Sequence, residues 1–493
     1  NEKIVETKTC KHCSTSFSIT DKDLEFYEKI SPTFKSSPQW GEGSEAERGV
    51  KILPDRNTKY LIPTPTLCPD CRQQRRLWLE NPKNVYKRNC DHCNSSIISI
   101  YSPWSSFKIY CSKCWYSWNW SPFNYGKRWR EWDDTFWLLK KINEEVSKLS
   151  LVQINSENCD FCHNVLNSKN AYYSFANEKL EDSFYAYDSI DIKDSLDIWW
   201  SGNVSRSYEI NNCGDVYNCY YCSNSANLKD CLFCEECANC ESCLFCYGIV
   251  GKKYHIFNKE VPKDEFEKTK KLILSSSTKI RESQELMSKF SNKLPHCFAS
   301  IDVFENVVGN YIYRSKDIIF GYNVGDSENC RYLYQGARNK DIFDSTLIYD
   351  SQRVFNSIWV DFGYNIFCSK NIVQNSSDIY YCTDIKNSKH CAFSSGLENA
   401  EYCIFNTQYN KEEYFTILPK ILSQLQQEWL YGESIPPYIS SFWYNESAAQ
   451  EYYPLTRKEV LLSSKEDAWK AGGFINWPIF NWSDYEAPFP HVE

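Results

Sequence analysis

A repeat of twelve residues, kept in register over eight units, constrains the fold of this chain more than any other feature of its sequence. Each unit has a small or aliphatic residue at every third position. The units are marked by residues 159–162, 171–174, 183–186, 195–198, 207–210, 219–222, 231–234 and 243–246. Twelve residues at ~3.3 Å each close a perimeter of at most roughly 40 Å, so the interior has room only for Ser, Cys, Ala, Val and Ile. The repeat therefore predicts a β-solenoid of narrow coils stacked ~4.8 Å apart.

Asparagine and aspartate mark the corners of these coils. One of the two precedes the aliphatic corner in successive units, at Asp191, Asn203, Asp215, Asn227 and Asn239. Both residue types suit tight turns.

Six cysteines at every third position allow more than one interpretation: Cys231, Cys234, Cys237, Cys240, Cys243 and Cys246. Such spacing also holds iron–sulfur clusters. The same phase upstream contains Ser, Ile and Val, which cannot bind metal, so the run favours interior residues of the solenoid. An iron–sulfur cluster, a thiolate metal ladder and disulfides between coils are the alternatives.

Apolar side chains form stripes on the outward face of the predicted rod. One stripe contains Tyr172, Phe184, Leu196, Tyr208, Tyr220, Leu232 and Leu244, and the next contains Tyr173, Tyr185, Asp197, Glu209, Tyr221, Phe233 and Phe245. Such stripes require a cover. The cover is another part of this chain or a partner, and the candidate partner-binding residues are Tyr172, Phe184, Tyr208 and Tyr220.

Four C-x-x-C pairs precede the repeat and predict two structural zinc ions. The predicted ligands are Cys10, Cys13, Cys68 and Cys71 for one ion, and Cys90, Cys93, Cys111 and Cys114 for the other. Two C-x-x-C turns complete a tetrahedral thiolate site that leaves no coordination position open. Thr20 to Asp23 predicts a short helix inside the long first spacer. Redox dithiols or disulfides are the alternatives, and His12 or His92 could replace a cysteine.

A basic cluster follows the second C-x-x-C pair. Its members are Arg72, Arg75, Arg76, Lys83, Lys87 and Arg88. Arginines beside zinc ribbons commonly contact phosphates, so the cluster is a candidate RNA-binding patch. A solvated helix over a small zinc core is the alternative. The aromatic run from Trp115 to Trp137 either stacks bases or joins the small modules to the solenoid, and the second interpretation is favoured.

A duplicated segment implies two solenoids. Ile256-Phe257-Asn258 recurs 148 residues later as Ile404-Phe405-Asn406, and each copy precedes a predicted helix, near Lys263 and Lys411. These helices shield the open ends or pack the two rods together. In the second array the phase changes between Ser369 and Ile379, which predicts a shortened coil.

The predicted fold is mainly β: N-terminal zinc ribbons, then two twelve-residue-repeat β-solenoids with helical caps and a C-terminal wrapping arm. The predicted domains are two zinc-ribbon modules in 1–115 (10–71 and 90–114), an aromatic bridge and helix in 116–150, a first solenoid in 151–258, a capping helix in 259–295, a second solenoid in 296–406, a capping helix in 407–430, and an extended arm in 431–493. A capping box of Thr456 and Glu459 predicts a short helix in the arm.

Composition bears on compartment and partners. The net charge of −9 argues against wholesale wrapping of nucleic acid. No apolar run approaches the ~20 residues of a membrane span. The 25 cysteines are odd in number, which favours reduced thiols and metal thiolates and hence the cytoplasm. The first residue is Asn, so any signal peptide is expected to have been removed or never to have existed.

Two resemblances add expectations. The twelve-residue coils resemble those of insect hyperactive antifreeze proteins, but the threonine ranks that bind ice are missing, so only architecture is implied. The chain also resembles a family of uncharacterised cysteine-rich zinc-ribbon proteins common in candidate-phyla-radiation bacteria. The stretches that carry this resemblance are 66–76, 97–103, the two Ile-Phe-Asn segments, and 444–446 through 454–456. The family implies no established activity and suggests that the second zinc is optional.

The residues indicate a binding protein rather than an enzyme. No nucleophile elbow, P-loop, dinucleotide-binding glycine pattern or H-E-x-x-H motif is present, and no small-molecule substrate is indicated. The first hypothesis is a scaffold that binds RNA or a ribonucleoprotein through the basic patch. The second is a protein-binding or self-assembling component that uses the aromatic stripes. A carbohydrate-active solenoid, with Asp197 and Glu209 on one face, is the enzymatic alternative.

Overall fold

The computed structural model describes residues 2–35, 49–53, 57–117, 119–456 and 459. The fold is mainly β, and long parallel sheets dominate it, as the repeat predicted. Its parts are two N-terminal cysteine modules, two β-solenoids, helices packed on the solenoids, and a C-terminal arm.

The N-terminal modules combine short hairpins with short helices. The first contains β1 (Ile4–Thr9), β2 (Ser16–Thr20), α1 (Asp21–Ile30), β3 (Thr33–Lys35), β4 (Val50–Ile52), β5 (Asn57–Tyr60) and α2 (Pro69–Leu77), and the second contains β6 (Tyr86–Asn89), β7 (Ser96–Ser99), β8 (Ile109–Tyr110) and α3 (Ser112–Trp115). Thr20 and Asp23 form the capping box that starts α1, so the predicted helix is confirmed. The linker to the solenoid contains α4 (Thr135–Glu145) and β9 (Lys148–Leu149).

The first solenoid has coils of twelve residues, each paired in parallel with the next. Its strands are β10 (Gln153–Ile154), β11 (Glu157–Asp160), β12 (His163–Leu166), β13 (Lys169–Tyr172), β14 (Phe175–Tyr187), β15 (Ile190–Lys193), β16 (Leu196–Trp199), β17 (Gly202–Ser205), β18 (Tyr208–Asn211), β19 (Gly214–Tyr217), β20 (Tyr220–Ser223), β21 (Ala226–Lys229), β22 (Leu232–Glu235), β23 (Ala238–Tyr247) and β24 (Lys253–Ile256), with β25 (Lys259–Glu260) folding back antiparallel. Leu196 pairs with Tyr208 and Ile198 with Ile210, which is the predicted register.

Every third residue of the coils has a left-handed backbone. Asp191, Asn203, Asp215, Asn227 and Asn239 all have φ near +55° (56°, 54°, 56°, 54° and 55°). The residue after each of them points into the rod and is buried. Asparagine and aspartate tolerate this conformation better than most residues. Their predicted role as turn residues is confirmed.

Serine and cysteine inside the rod satisfy the backbone of neighbouring coils. Ser195 Oγ donates to the Lys193 carbonyl at 2.7 Å and accepts from the Ser207 N–H at 3.2 Å. Cysteine takes the same place further along, where the Cys231 N–H donates to Cys219 Sγ at 3.4 Å. All 25 cysteines lie in the described ranges and are free thiols. Small polar side chains therefore line the interior and pair there with the backbone of the coils.

A helical hairpin covers one side of the last coils. It consists of α5 (Lys263–Ile273) and α6 (Ser277–Ser291). Phe266 and Met287 pack against the outward side chains of Phe233 and Phe245, which are only 3% and 4% exposed. The predicted cap is thus a pair of helices that lies along a face of the solenoid.

The second solenoid repeats this architecture. Its strands are β26 (Ile301–Gly325), β27 (Glu328–Ala337), β28 (Lys340–Tyr349), β29 (Gln352–Phe355), β30 (Ile358–Asp361), β31 (Tyr364–Phe367), β32 (Lys370–Val373), β33 (Ser377–Tyr380), β34 (Thr383–Lys386), β35 (Lys389–Ala392) and β36 (Glu401–Ile404), followed by the antiparallel β37 (Thr407–Gln408).

The prediction of a shortened coil is wrong, because one coil is a residue longer than the others. Ile366 pairs with Ile379, thirteen residues on. The extra residue is absorbed where Gln374 and Asn375 both have positive φ, 56° and 57°. Ser369 is in a different interior column, and that column continues at Cys382, whose N–H donates to Ser369 Oγ. The phase change predicted from the sequence arose because Ser369 and Ile379 belong to two different interior columns.

The duplicated Ile-Phe-Asn segments end both solenoids in the same way. Asn258 Oδ1 accepts from the Tyr247 N–H at 2.9 Å, and its Nδ2 donates to the Tyr247 carbonyl at 2.8 Å. Asn406 makes the same pair of bonds with Ser395, both at 2.8 Å. Each side-chain amide therefore replaces the backbone that a further coil would supply.

The second solenoid carries most of the remaining structure on its outward face. This cover consists of α1, α2, α4, α7 (Lys411–Gln427) and the arm with α8 (Ala448–Tyr452), and together they bury Phe343, Phe355, Phe367, Phe393 and Phe405. The described part of the arm does pack on other domains, and the Thr456–Glu459 hydrogen bonds of the capping box are present. The rest of the predicted arm helix lies outside the described residues. Among the described residues, no helix combines the length and apolar character that crossing a bilayer requires.

Candidate metal centres and interaction surfaces

Four cysteines of the first module converge on one point. Cys10 and Cys13 lie in the turn between β1 and β2, which the Cys10 N–H closes by donating to the Thr15 carbonyl at 2.9 Å. Cys68 is the N-cap of α2 and Cys71 lies in its first turn. The four sulfur atoms all lie within 4.8 Å of one another.

The second module repeats this arrangement. Cys90 and Cys93 lie in the turn between β6 and β7, Cys111 is the N-cap of α3, and Cys114 lies inside that helix. These four sulfur atoms also lie within 4.8 Å of one another. Cys68 and Cys111 have the same backbone angles, φ −65° and ψ 161°. The two predicted groups of four cysteines are therefore both assembled.

Each group could hold a metal ion, and the donor set fits zinc. Four thiolates suit a tetrahedral structural site without an open coordination position. Hydrogen bonds from the side chain and backbone of Ser95 lower the pKa of the Cys93 thiol to about 6, which favours the thiolate form that binds metal. Burial raises the pKa of Cys71, and a bound cation would reverse that direction, because a coordinating thiol is deprotonated. His12 lies outside the group, with Nδ1 at 3.3 Å from Cys71 Sγ.

The solenoid cysteines do not assemble in this way. Within the described ranges, the two N-terminal groups are the sets of cysteine, histidine or carboxylate that converge closely enough for a metal. The cysteines from Cys231 to Cys246 donate to backbone carbonyls of their own and the next coil. They are interior residues.

The predicted RNA contact of Arg72 and Arg76 is wrong, because both side chains are buried inside the protein. They are 4% and 1% exposed. Arg72 forms an ion pair with Asp344 of the second solenoid, and Arg76 Nη1 lies 4.0 Å from the same carboxylate. Arg76 also donates to Asn356 Oδ1 at 3.2 Å. These guanidinium groups fasten α2 to the solenoid and cannot reach a phosphate.

The carboxylate of Asp344 stabilises the positive charges of the Arg72 and Arg76 guanidinium groups. Burial alone would lower the pKa of Arg72, but attraction to Asp344, together with smaller contributions from Tyr27 and Tyr332, more than offsets it and the pKa is raised. Burial lowers the pKa of Arg76 to about 10. Burial also raises the pKa of the Asp344 carboxyl, while both guanidinium groups oppose that rise. Arginine does not lose its proton in proteins, so the ion pair is the state expected at neutral pH.

The other four residues of the predicted patch do not form a common basic face. Arg75 lies 3.7 Å from Glu433, Lys83 2.9 Å from Glu451, and Arg88 3.0 Å from Asp91. Lys87 is exposed. Three of the four cations are thus paired within the chain.

The aromatic run divides between a bridge and an exposed set. Trp120 packs against both the second cysteine group and the large core on the second solenoid. Tyr125, Trp129 and Phe136 belong to the same core. For these residues the bridge interpretation is confirmed. Tyr116, Phe123, Trp132 and Trp137 are exposed, and Trp118 lies outside the described residues.

The aromatic face of the first solenoid is covered at one end and open at the other. Tyr221, Phe233, Phe245 and Phe257 form a continuous stack with centroid distances of 4.8, 5.3 and 4.7 Å, and the hairpin of α5 and α6 lies on it. Tyr172, Phe184, Tyr185 and Tyr208 continue this face on earlier coils, whereas Tyr173 packs against the cluster that contains Ile100, Tyr101 and Phe175. Phe184 and Tyr185 are 42% and 44% exposed. Of the predicted partner-binding residues, only Tyr220 packs against the hairpin.

Two carboxylates interrupt the open part of this face. Asp197 and Glu209 occupy the same position on successive coils. The Tyr208 hydroxyl donates to Glu209 at 3.5 Å. Burial among the rings raises the pKa of both carboxyls, and repulsion from Asp197 adds to the rise for Glu209. Neither forms an ion pair with any residue that the structure describes.

The burial of the α2 arginines was the feature that sequence reasoning missed. An R-x-x-x-R pattern on a short helix is compatible with arginine side chains that are exposed to solvent and with side chains that are buried. The counterpart of Asp344 in the first solenoid, Asp197, is found only when the thirteen-residue coil is counted, and that coil is known from the pairing of Ile366 with Ile379 rather than from the sequence.

The fold and the cysteine groups define a β-solenoid protein with two candidate metal centres. No family model matches the chain, and no curated protein matches it. Among solved structures it is similar to a proposed acetyltransferase from Desulfovibrio desulfuricans G20, with 10% identity, a TM-score of 0.11, and coverage of 53% of this chain and 71% of that one. A TM-score this low supports neither a shared fold nor a shared activity.

Proposed function

We propose that the protein is a non-enzymatic scaffold, stabilised by two structural zinc ions, that binds a partner protein along the open aromatic face of its first solenoid. The observation that carries this proposal is the difference in exposure between aromatic side chains at the two ends of one face. Where α5 and α6 lie on it, Phe233 and Phe245 are buried, while Phe184 and Tyr185 in the open coils are 42% and 44% exposed. Contiguous exposed apolar surface commonly marks a protein interface.

Zinc has a structural role in this proposal. The Cys68–Cys71 ligands lie at the start of α2, and α2 holds the first module on the second solenoid through Arg72 and Arg76. An ion bound by four thiolates stabilises such a small module but does not activate water. The metals therefore fix the architecture that presents the open face.

We also propose that the chain belongs to the cysteine-rich zinc-ribbon family that it resembles and that it acts in the cytoplasm. The resembling stretch 66–76 contains two metal-ligand candidates and both arginines that fasten α2. The Ile-Phe-Asn segments contain the asparagines that end both solenoids. Free thiols throughout are consistent with a reducing compartment.

Site-specific photo-crosslinking in the source cells tests the proposed function. A benzophenone side chain at Phe184 probes the open face, and one at Ile190 is a matched control on another face of the same rod, because the two residues are 42% and 43% exposed. The proposal expects protein adducts at 184 and few at 190. Equal labelling at both positions, or adducts to RNA alone, would contradict it.

A further inference from the structure

The two solenoids can be compared coil by coil, counting back from their Ile-Phe-Asn ends. Ile256 and Ile404 each end the last coil. In the first solenoid, successive strand pairs connect Ile256 to Leu196 over five coils. In the second, they connect Ile404 to Phe343 over five coils, one of which is a residue longer. The left-handed residue after each of these is an aspartate, Asp197 in the first solenoid and Asp344 in the second.

In the second solenoid this position and its two neighbours form a cradle for arginine. The Arg72 guanidinium lies 5.5 Å from the centre of the Tyr332 ring and pairs with Asp344. One coil further on, Asn356 accepts a hydrogen bond from Arg76. An aromatic ring, a carboxylate and an amide on three successive coils thus receive two arginines, one helical turn apart on α2.

The first solenoid has the same cradle without an occupant from the described part of the chain. Tyr185, Asp197 and Glu209 stand at the positions of Tyr332, Asp344 and Asn356. Tyr185 is 44% exposed, and neither carboxylate forms an ion pair among the described residues. Glu209 in place of an asparagine makes this cradle more acidic than the one that already binds arginine.

We infer that this cradle binds an arginine-bearing helix of the partner protein, an inference that rests on the proposed function. Carboxylates on adjacent coils are ~4.8 Å apart, and arginines at positions i and i+4 of a helix are about one 5.4 Å turn apart, so each guanidinium faces one carboxylate. The apolar side of the same helix covers Phe184 and Tyr208, as α1 and α2 cover the corresponding face of the second solenoid.

Other occupants fit less well. Nucleic acid would bring phosphates against two unpaired carboxylates. A second copy of this chain would have to offer its own arginine pair, but Arg72 and Arg76 are already buried against Asp344.

A peptide copy of α2 tests this inference on the full-length protein. The probe is a fluorescent peptide of residues 67–80 with Cys68→Ser and Cys71→Ser, stapled at positions 70 and 74, away from the arginines. A second peptide carries Arg72→Gln and Arg76→Gln. The protein variants are Asp197→Asn with Glu209→Gln, and Asp191→Asn as a control on another face of the rod.

We expect the arginine peptide to bind the native protein with at least roughly tenfold higher affinity than the glutamine peptide, because paired guanidinium–carboxylate contacts are strong. Asp197→Asn with Glu209→Gln should remove most of this preference, and Asp191→Asn should preserve it. Absence of binding, equal binding of both peptides, competition by single-stranded RNA, or a dimer that dissociates in the Asp197/Glu209 variant would overturn the inference. If the peptides do not bind, or bind equally, protein adducts at position 184 in the crosslinking experiment would still support the proposed function.

Discussion

Asp344→Asn should release α2 from the second solenoid. The side chain of Asp344 is fully buried, and those of Arg72 and Arg76 are 5% and 2% exposed, so the substitution leaves two buried guanidinium groups without a counter-charge. Removing one partner of a buried ion pair costs about 3–5 kcal/mol. Asparagine still accepts a hydrogen bond, so we expect about 3 kcal/mol, which is roughly a hundredfold increase in the opening equilibrium of α2.

Amide hydrogen exchange over Pro69–Leu77 measures this opening, with the amides of the solenoid interior as an internal reference. Asp350→Asn is the matched control, because Asp350 pairs with Arg338, whose side chain is 58% exposed. An exposed pair contributes about 0–1 kcal/mol, so exchange of α2 should not change in the control. If α2 exchanges less than about tenfold faster in Asp344→Asn, or equally fast in both variants, the buried ion pair does not hold the helix.

Three further outcomes are expected. Cys13→Ser and Cys93→Ser should each reduce the zinc content of the native protein from two ions per chain to one, measured by metal analysis, and two ions retained in either variant would exclude that ligand. Asn406→Asp should lower the thermal midpoint, because the amide donor to the Ser395 carbonyl is lost at a cost of about 1–3 kcal/mol, whereas Asn399→Asp, at an exposed acceptor, should have little effect. Burial first, and then the charge of Lys370, lower the pKa of His163 to about 3. The unfolded chain therefore binds the extra proton first as pH falls, so stability is complete above pH ~6.5 and decreases by at most about 5 kcal/mol down to pH ~3. His163→Gln should flatten this profile in urea titrations.

The repeat alone was sufficient to predict the solenoid, because a coil of this size admits few interior residues. The period of three placed Ser195 and Ile198 inside, and both are buried. The spacing of Cys90, Cys93, Cys111 and Cys114 likewise predicted one group, and the structure assembles it. Both predictions depend on local geometry, which short stretches of sequence determine.

Contacts between distant parts of the chain were beyond the same reasoning. Arg72 and Asp344 are 272 positions apart, and the chain has 64 acidic residues that could have neutralised a buried arginine. The longer coil was misassigned for a related reason. Ser369 and Ile379 both read as interior residues, but only the pairing of Ile366 with Ile379 shows which column each belongs to.

The hydrogen-bond chain through the interior serines has a consequence for how this architecture evolves. Because Ser195 accepts from the coil that follows and donates only to its own coil, each coil presents the same donors and acceptors as the one before it. Insertion or deletion of a whole coil therefore leaves both new neighbours satisfied, and the rod lengthens or shortens in steps of ~4.8 Å. Unequal crossing-over between repeats could thus change the distance between the Asp197 cradle and the α5–α6 hairpin by whole coils. The length of helix that fits between them would change with it, while both ends of the rod keep their structure.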